Sequence, residues 1–242
     1  MVVREPARPP DRVIASNFVN PTQFAAHEDL GRYPRRQEED ARLLAGAGCH
    51  LMFAPSVEEM YPDGFATTIA VAGPALGLEG EARPQMFGGV ALVVTKLFNQ
   101  VQPDVAVFGE KDYQQLMVVR RFVRDLDLPI EVVGSPTERD GWGLALSSRN
   151  AYLSEEDLVI ARRLNGVLAQ AGARASAGEP VAGIEAAAAD ALLDAGFATV
   201  DYVAIRRAED LQPFGDDVVD ASARTLAGAW LGKTRLIDNM AV

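Results

Sequence analysis

Apolar positions along the chain alternate between two periods, and the switch recurs. "DRVIASNFVN" is rich in Val, Ile and Phe and reads as a strand that ends at the turn-forming Asn20-Pro21. "RYPRRQEEDARLLAGAG" sets Leu43 and Leu44 on an otherwise charged helix that stops at Gly46 or Gly48. "CHLMFAP" follows as a second strand, ended by Pro55. "FGGVALVVTKLFNQVQPD" places Val90, Val93, Val94, Leu97 and Phe98 at helical spacing. "VAVFGE" is then a third strand, "DYQQLMVVRRFVRDLD" a helix and "IEVVGSP" a fourth strand. This order predicts an α/β fold, a parallel sheet with crossover helices.

After Pro136 the pattern changes. "SSRNAYLSEEDLVIARRLNGVLAQAGARASAG" opens as a loop, and Ser154 with Asp157 has the spacing of a capping box. A second helix follows in "AGIEAAAADALLDAGF". "TVDYVAIRRAEDL" and "RTLAGAWLGKTRLIDNMAV" then read as strands joined by turns, with no crossover helix between them. The expectation is two domains, residues 1–137 and a smaller α+β domain over residues 138–242. The loop holding Gly141 and Gly143 would be the hinge.

Composition narrows the function classes. The 242 residues are 48% hydrophobic and 24% charged, ordinary for a soluble chain that buries a core. A net charge of −11 argues against a nucleic-acid surface, while leaving room for a local basic pocket. Cys49 is the single cysteine, which excludes an intrachain disulfide framework; its setting reads as a buried, unreactive thiol at a strand start. No apolar run approaches a bilayer-spanning length, and the proline-rich N-terminus does not read as a signal peptide. A cytoplasmic protein is the expectation.

Ligands of open parallel sheets bind beyond the carboxyl ends of the strands. Three polar loops fall there. Asn20-Pro-Thr-Gln23 follows the first strand, Gly109-Glu110-Lys111-Asp112 the third, and Leu146-Ser147-Ser148-Arg149-Asn150 lies at the domain junction. Lys111 and Arg149 could neutralise a polyphosphate, Gly109 would let backbone approach it, and Ser147 and Ser148 could donate to its oxygens. Gln23 and Gln115 are amides of the kind that hold hydroxyls and a carboxylate in fixed orientation. Singly these signals are weak. A lone G-E-K-D is more often a solvated helix start, and S-S-R-N more often a turn with a cap.

Taken in order, FVNPTQF, APSVEEMYP, VTKLFN, QPD with FGEKDYQQL, GLALSSRN and TRLIDN closely resemble the pantoate–β-alanine ligase family of coenzyme A biosynthesis. The resemblance runs from about residue 11 to the C-terminus. It implies a Rossmann-like N-terminal domain, similar to nucleotidylyltransferases and class I aminoacyl-tRNA synthetases. It also implies a smaller C-terminal domain that closes over ATP, and usually a homodimer. The implied reaction activates pantoate with MgATP as an acyl adenylate, releases pyrophosphate, and passes the acyl group to β-alanine with loss of AMP. On that resemblance Gly109, Glu110, Lys111 and Asp112 contact ATP, with Lys111 on the phosphates. Leu146, Ser147, Ser148 and Arg149 form a mobile phosphate-binding loop, and Glu138 lies at the adenine site. Lys111 and Arg149 are the catalytic cations, Asn20, Gln23 and Gln115 hold pantoate and β-alanine, and Mg²⁺ arrives mainly on the ATP phosphates.

The chain also departs from the family pattern. The family carries a G-x-L-H-x-G-H loop just before the region where this chain begins, and His27 and His50 are not spaced to replace it. Losing such charge-stabilising groups costs about two to three orders of magnitude in rate each. Met86 stands where His is usual, Glu138 where Val is, and Trp142 where Asp or Asn is. Asn17 interrupts an apolar strand, where an unpartnered buried amide would cost about 1–3 kcal/mol. Pro9 and Pro10 break an expected helix end. The expectation is therefore a ligase impaired in this form. The alternatives are a nucleotide- or pantoate-binding remnant without turnover and a related nucleotidyltransferase acting on another acid.

Overall fold

The computed structural model describes residues 12–23, 37–215 and 217–242. The first half alternates as the apolar pattern predicts. β1 (Ile14–Ser16), α1 (Gln37–Gly46), β2 (Leu51–Phe53), α2 (Val57–Met60), α3 (Glu79–Ala82), α4 (Met86–Val101), β3 (Val105–Gly109), α5 (Tyr113–Asp125) and β4 (Glu131–Ser135) follow one another. Both strand pairings are parallel, β1 on β2 from Ile14↔Leu51 and β3 on β4 from Val105↔Glu131. The expected sheet is present as two separate two-stranded pairs among the described residues. The β1–β2 pairing extends by one further bond, Asn17 N–H to the Phe53 carbonyl at 2.9 Å. Asn20 and Pro21 then turn the chain into a single 3₁₀ turn, Pro21–Gln23.

Apolar periodicity explains why α4 and α5 carry the first core. Val90, Val93, Val94 and Phe98 of α4 and Val118, Val119 and Phe122 of α5 are buried in one cluster with Met60 and Phe87. Each such side chain contributes about 1.5–3 kcal/mol on burial. α4 ends at Gln102, which takes a left-handed φ of 51° and returns its N–H to the Phe98 carbonyl. Pro103 prevents the helix from continuing.

The second half is built differently. α6 (Glu155–Ala161), α7 (Arg163–Ser176) and α8 (Val181–Asp194) precede β5 (Thr199–Arg207), β6 (Ala223–Leu231) and β7 (Thr234–Ala241), an antiparallel sheet in the order β5-β6-β7. The Ser154–Asp157 capping box forms as expected at the start of α6. Gly232, at φ 56°, opens the two-residue turn that folds β7 back on β6. Leu164, Leu168, Ile184, Leu192, Ile205 and Ala227 lie in the core of this half. A third, smaller cluster joins the halves: Tyr113, Leu116 and Met117 of α5 meet Leu211 and Leu226.

Two expectations need correction, and three fall beyond reach. Asn17 is not an orphaned amide, because its Nδ2 donates to the Asp40 carboxylate of α1 at 2.9 Å. Cys49 is half-buried rather than core, its Sγ beside the Val13 and Leu51 carbonyls, because the strand begins two residues later. His50 is exposed, and its Nδ1 accepts the Val13 N–H at 3.0 Å. Pro9, Pro10 and His27 lie outside the described residues.

Candidate active site

β3 delivers the G-E-K-D segment, which forms a single 3₁₀ turn, Glu110–Asp112, before α5 begins. Gly109 is exposed, at an ordinary φ of −68°, and a Cβ there would meet nothing within 4 Å. Neither a positive φ nor a close contact therefore requires glycine at this position. The Glu110 carboxylate accepts from Arg224 Nη2 at 3.1 Å. Gly134 on β4 makes room for that side chain, since a Cβ there would lie 2.9 Å from Glu110 Oε1. No carboxylate pairs with the Lys111 ammonium among the described residues, and Lys111 lines a cavity of about 880 Å³.

The S-S-R-N segment reaches the same cavity. Residues Ser148–Tyr152 form a 3₁₀ turn capped by Ser147, whose Oγ accepts the Arg149 N–H at 3.3 Å. Asn150 Nδ2 donates to the Ala145 carbonyl at 3.0 Å. Ser147, Arg149 and Asn150 all line the cavity with Lys111 and Asp112. The loop before it is tied down: Asp140 Oδ1 accepts the N–H groups of Trp142 and Leu144, both at 2.9 Å, and Oδ2 accepts Arg162 Nε at 3.1 Å. Desolvation would raise the Asp140 carboxyl, but these donors outweigh it and hold it below its ordinary value. Trp142 is 70% exposed and lies under the Arg162 guanidinium, 4.0 Å from ring centre to Cζ. Gly143 has a φ of +91° and sits so close to Asn165 that a Cβ would fall 2.8 Å from its Oδ1.

Sequence reasoning missed a second group of lining residues. Glu79, only 4% exposed, accepts Arg235 Nη1 and Nη2 at 2.8 and 2.7 Å and the Tyr202 hydroxyl at 2.8 Å. Arg235 Nε reaches Asp201 at 2.7 Å. Gly228 on β6 permits this, because a Cβ there would lie 2.7 Å from Arg235 Nη2 and 2.8 Å from the Tyr202 ring. Burial alone would raise the Glu79 carboxyl, but Arg235, Tyr202 and Arg83 together hold it below its ordinary value. Burial and then the Glu79 charge push the Tyr202 hydroxyl well up. Glu79, Arg83, Asp201, Tyr202 and Arg235 all line the cavity. Their partners stand up to 156 positions apart, so no local signal marks them.

The remaining expected residues divide. Gln115 lines a narrow adjoining cavity of about 20 Å³ together with Lys111, Asp112 and Met86. Its neighbour Gln114 is a structural clamp, accepting the Glu79 N–H at 3.0 Å and donating to the Pro74 and Gly77 carbonyls at 2.9 and 3.1 Å. Asn20 is 3% exposed and fully engaged, with Tyr61, Thr22, Gln23 and the Gly89 carbonyl. Gln23 accepts from Asn20 through Oε1, and its carbonyl takes Arg83 Nη2 at 3.3 Å. Among the described residues, Asn20, Gln23, Gly109, Glu110, Glu138, Leu146 and Ser148 are not lining residues of either cavity. Glu138 instead gives its carbonyl to the Leu146 N–H at 2.9 Å, fixing the base of the 139–145 loop.

Comparison with known proteins decides the family. The family model described as pantoate-beta-alanine ligase matches residues 1–241. The chain belongs to this family. The pantothenate synthetase of Caulobacter vibrioides is 58% identical over 233 residues, covering 96% of this chain and 82% of the relative. That of Mesorhizobium japonicum is 54% identical over 241 residues, covering 100% and 83%. The crystal structure of the Thermus thermophilus pantothenate synthetase superposes with a TM-score of 0.89 at 50% identity, covering 97% of this chain and 84% of that one. A pantoate-beta-alanine ligase from Francisella tularensis, complexed with beta-gamma ATP and beta-alanine, gives 0.77 at 31% identity, covering 96% and 79%. These pantoate–β-alanine ligase relatives share the observed α/β architecture. No described helix is long and apolar enough to cross a membrane.

Proposed function

We propose that the chain ligates pantoate and β-alanine to pantothenate through a pantoyl adenylate, with the roughly 880 Å³ cavity as the active site. The observation that carries this reading is the convergence of two loops, distant in sequence, on one cavity. Lys111 and Asp112 come from the strand end, and Ser147 and Arg149 from the 3₁₀ turn. In the first step a pantoate carboxylate oxygen attacks the α-phosphorus of ATP, and the bond to pyrophosphate breaks. In the second the β-alanine amine attacks the acyl carbon, AMP departs and the amine gives up a proton. In-line displacement at phosphorus needs position and charge neutralisation more than covalent help from the protein. Lys111 and Arg149 supply cations, and Ser147 a hydroxyl, to the phosphate oxygens. Gln115 beside Lys111 orients pantoate, while Asn20 and Gln23, outside the lining of either cavity, act indirectly, the Gln23 carbonyl holding Arg83, which does line it. Mg²⁺ would arrive on the phosphates, and Asp112, one of the acidic residues lining the cavity beside Lys111, would be able to share it. Residues 138–242 act as the lid, a role supported by their separate core.

Calorimetric or thermal-shift titration with MgATP tests the reading, since a ligand that binds only the native state raises its melting temperature. The native chain should respond at millimolar MgATP. Lys111→Ala should melt unchanged but bind MgATP roughly tenfold or more weakly, as expected for a charge-assisted contact of about 1.5–3 kcal/mol. Equal affinity in the two proteins would make Lys111 an ordinary exposed charge and overturn the assignment.

A further inference from the structure

The motif TRLIDN near the C-terminus has no role in the chemistry above, yet its last two residues stand where the two loops are fastened. Asp238 and Asn239 on β7 are 4% and 3% exposed. Asn239 Nδ2 donates to the Glu110 carbonyl at 2.9 Å and to the Lys111 carbonyl at 2.8 Å. Its Oδ1 accepts from Arg224 Nη1. Arg224 in turn reaches the Glu110 carboxylate through Nη2 at 3.1 Å, and its guanidinium lies 3.8 Å over the Tyr113 ring. Asp238 accepts Arg139 Nη1 and Nη2 at 2.6 and 2.9 Å, and Arg139 also donates to the Gly143 and Asn239 carbonyls at 2.9 and 3.1 Å.

We propose that Asn239 is a positioning residue for phosphate binding, acting through Lys111. An amide NH₂ has two hydrogens, and both are spent on successive carbonyls of the turn that carries Lys111. Two bonds to consecutive peptide groups fix the orientation of the turn, which one bond would leave free to rotate. The grip comes from the C-terminal sheet, so the turn is set only when that sheet is docked. Through Asp238 and Arg139 the same strand holds the loop that leads to Ser147 and Arg149. Both phosphate-facing segments therefore take their position from adjacent residues of β7. Asparagine is required chemically: Ala abandons both carbonyls, and Asp sets a carboxylate against them.

This inference rests on the assignment of Lys111 to the phosphates, and its test separates the two. MgATP affinity and melting temperature would be measured for the whole chain and for Asn239→Ala, Asn239→Asp, Lys111→Ala and the Lys111→Ala/Asn239→Ala double variant. Both Asn239 variants should bind MgATP on the order of tenfold more weakly, inside the range that small misplacements of a working group produce. In the Lys111→Ala background the Asn239→Ala change should add almost nothing, the non-additivity expected of residues acting as one unit. Unchanged affinity in both Asn239 variants, a fully additive loss in the double variant, or loss of the fold in both Asn239 variants would overturn the proposal. If Lys111→Ala alone leaves affinity intact, the phosphate assignment falls first and takes this inference with it.

Discussion

Glu79 shows what a single residue contributes to the cavity wall. Its carboxylate is buried with Arg235, the two side chains 5% and 12% exposed and 2.7 Å apart. Removing one partner of a buried pair leaves the other charge without its counter-ion, a loss of about 3–5 kcal/mol, softened here because Arg235 keeps Asp201. Glu79→Gln should therefore melt well below the native chain at neutral pH. The sign of the pH dependence follows from the lowered folded-state value of Glu79. The unfolded carboxyl binds its proton more readily, so the stabilisation is complete above the unfolded value of about 4.3. It is lost as pH falls through the lower folded value. The stability gap between the native chain and Glu79→Gln should thus shrink below about pH 4. A gap independent of pH, followed by denaturant melts from pH 7 downward, would remove Glu79 from the ionised pair. Residues of this kind were invisible in the sequence, because nothing local in GLEGEARP announces Arg235 or Tyr202. Lys111, Ser147 and Arg149 were legible for the opposite reason. Each sits in a polar cluster immediately beyond an apolar run, and the chain itself carries that cluster to the cavity.

At the level of elements, the helices and the later strands followed their apolar periodicity closely, while the first strand did not. DRVIASNFVN promised a long strand, and only Ile14–Ser16 forms one, because Asn17 turns its amide to Asp40 and Asn20 becomes a hub for the turn. That turn depends on α4 coming unusually close. A Cβ on Gly89 would lie 2.6 Å from the Thr22 carbonyl and 2.7 Å from the Gln23 nitrogen, both backbone atoms that cannot swing aside. Asn20 Nδ2 bonds the Gly89 carbonyl at 3.1 Å across the same contact. Gly89→Ala should therefore destabilise by about 1–3 kcal/mol through overpacking, despite the better helix propensity of Ala. Gly166 in α7 is the control, exposed and with nothing within 4 Å of its Cβ. Gly166→Ala should raise stability by about 0.5–1 kcal/mol. Matching effects at the two glycines in chemical denaturation would mean that the α4–loop contact does not constrain the fold. Periodicity named α4 as a helix. It could not reveal which of its glycines touches another segment's backbone.

At the scale of the whole molecule, the proposed adenylation must stabilise negative charge on the phosphoryl oxygens and the leaving pyrophosphate in the transition state. The protein brings Lys111 and Arg149 to the cavity, and Asn239 with Asp238 fasten the segments that carry them. No H-x-G-H sequence occurs within these 242 residues, whose two histidines are His27 and His50. His50 accepts the Val13 N–H just before β2 and is not among the residues that line the cavity. A polypeptide of these 242 residues should accordingly bind MgATP yet form pantothenate very slowly from pantoate and β-alanine. If catalysis needs two further donors of the kind an H-x-G-H loop would supply, at about 2.7–4 kcal/mol each if independent, their lack corresponds to a rate lower by roughly four or more orders of magnitude. Joining a segment that carries the loop to its N-terminus should restore turnover much more than it changes MgATP affinity, because donors aimed at developing charge act on the transition state above the ground state. Assaying both polypeptides for AMP release would decide it. Rapid turnover by the 242-residue polypeptide would show that Lys111, Arg149 and the Asn239-fastened turn supply the required charge by themselves. Equal and negligible turnover in both would move the defect into the cavity itself, to Met86 in the narrow space beside Gln115.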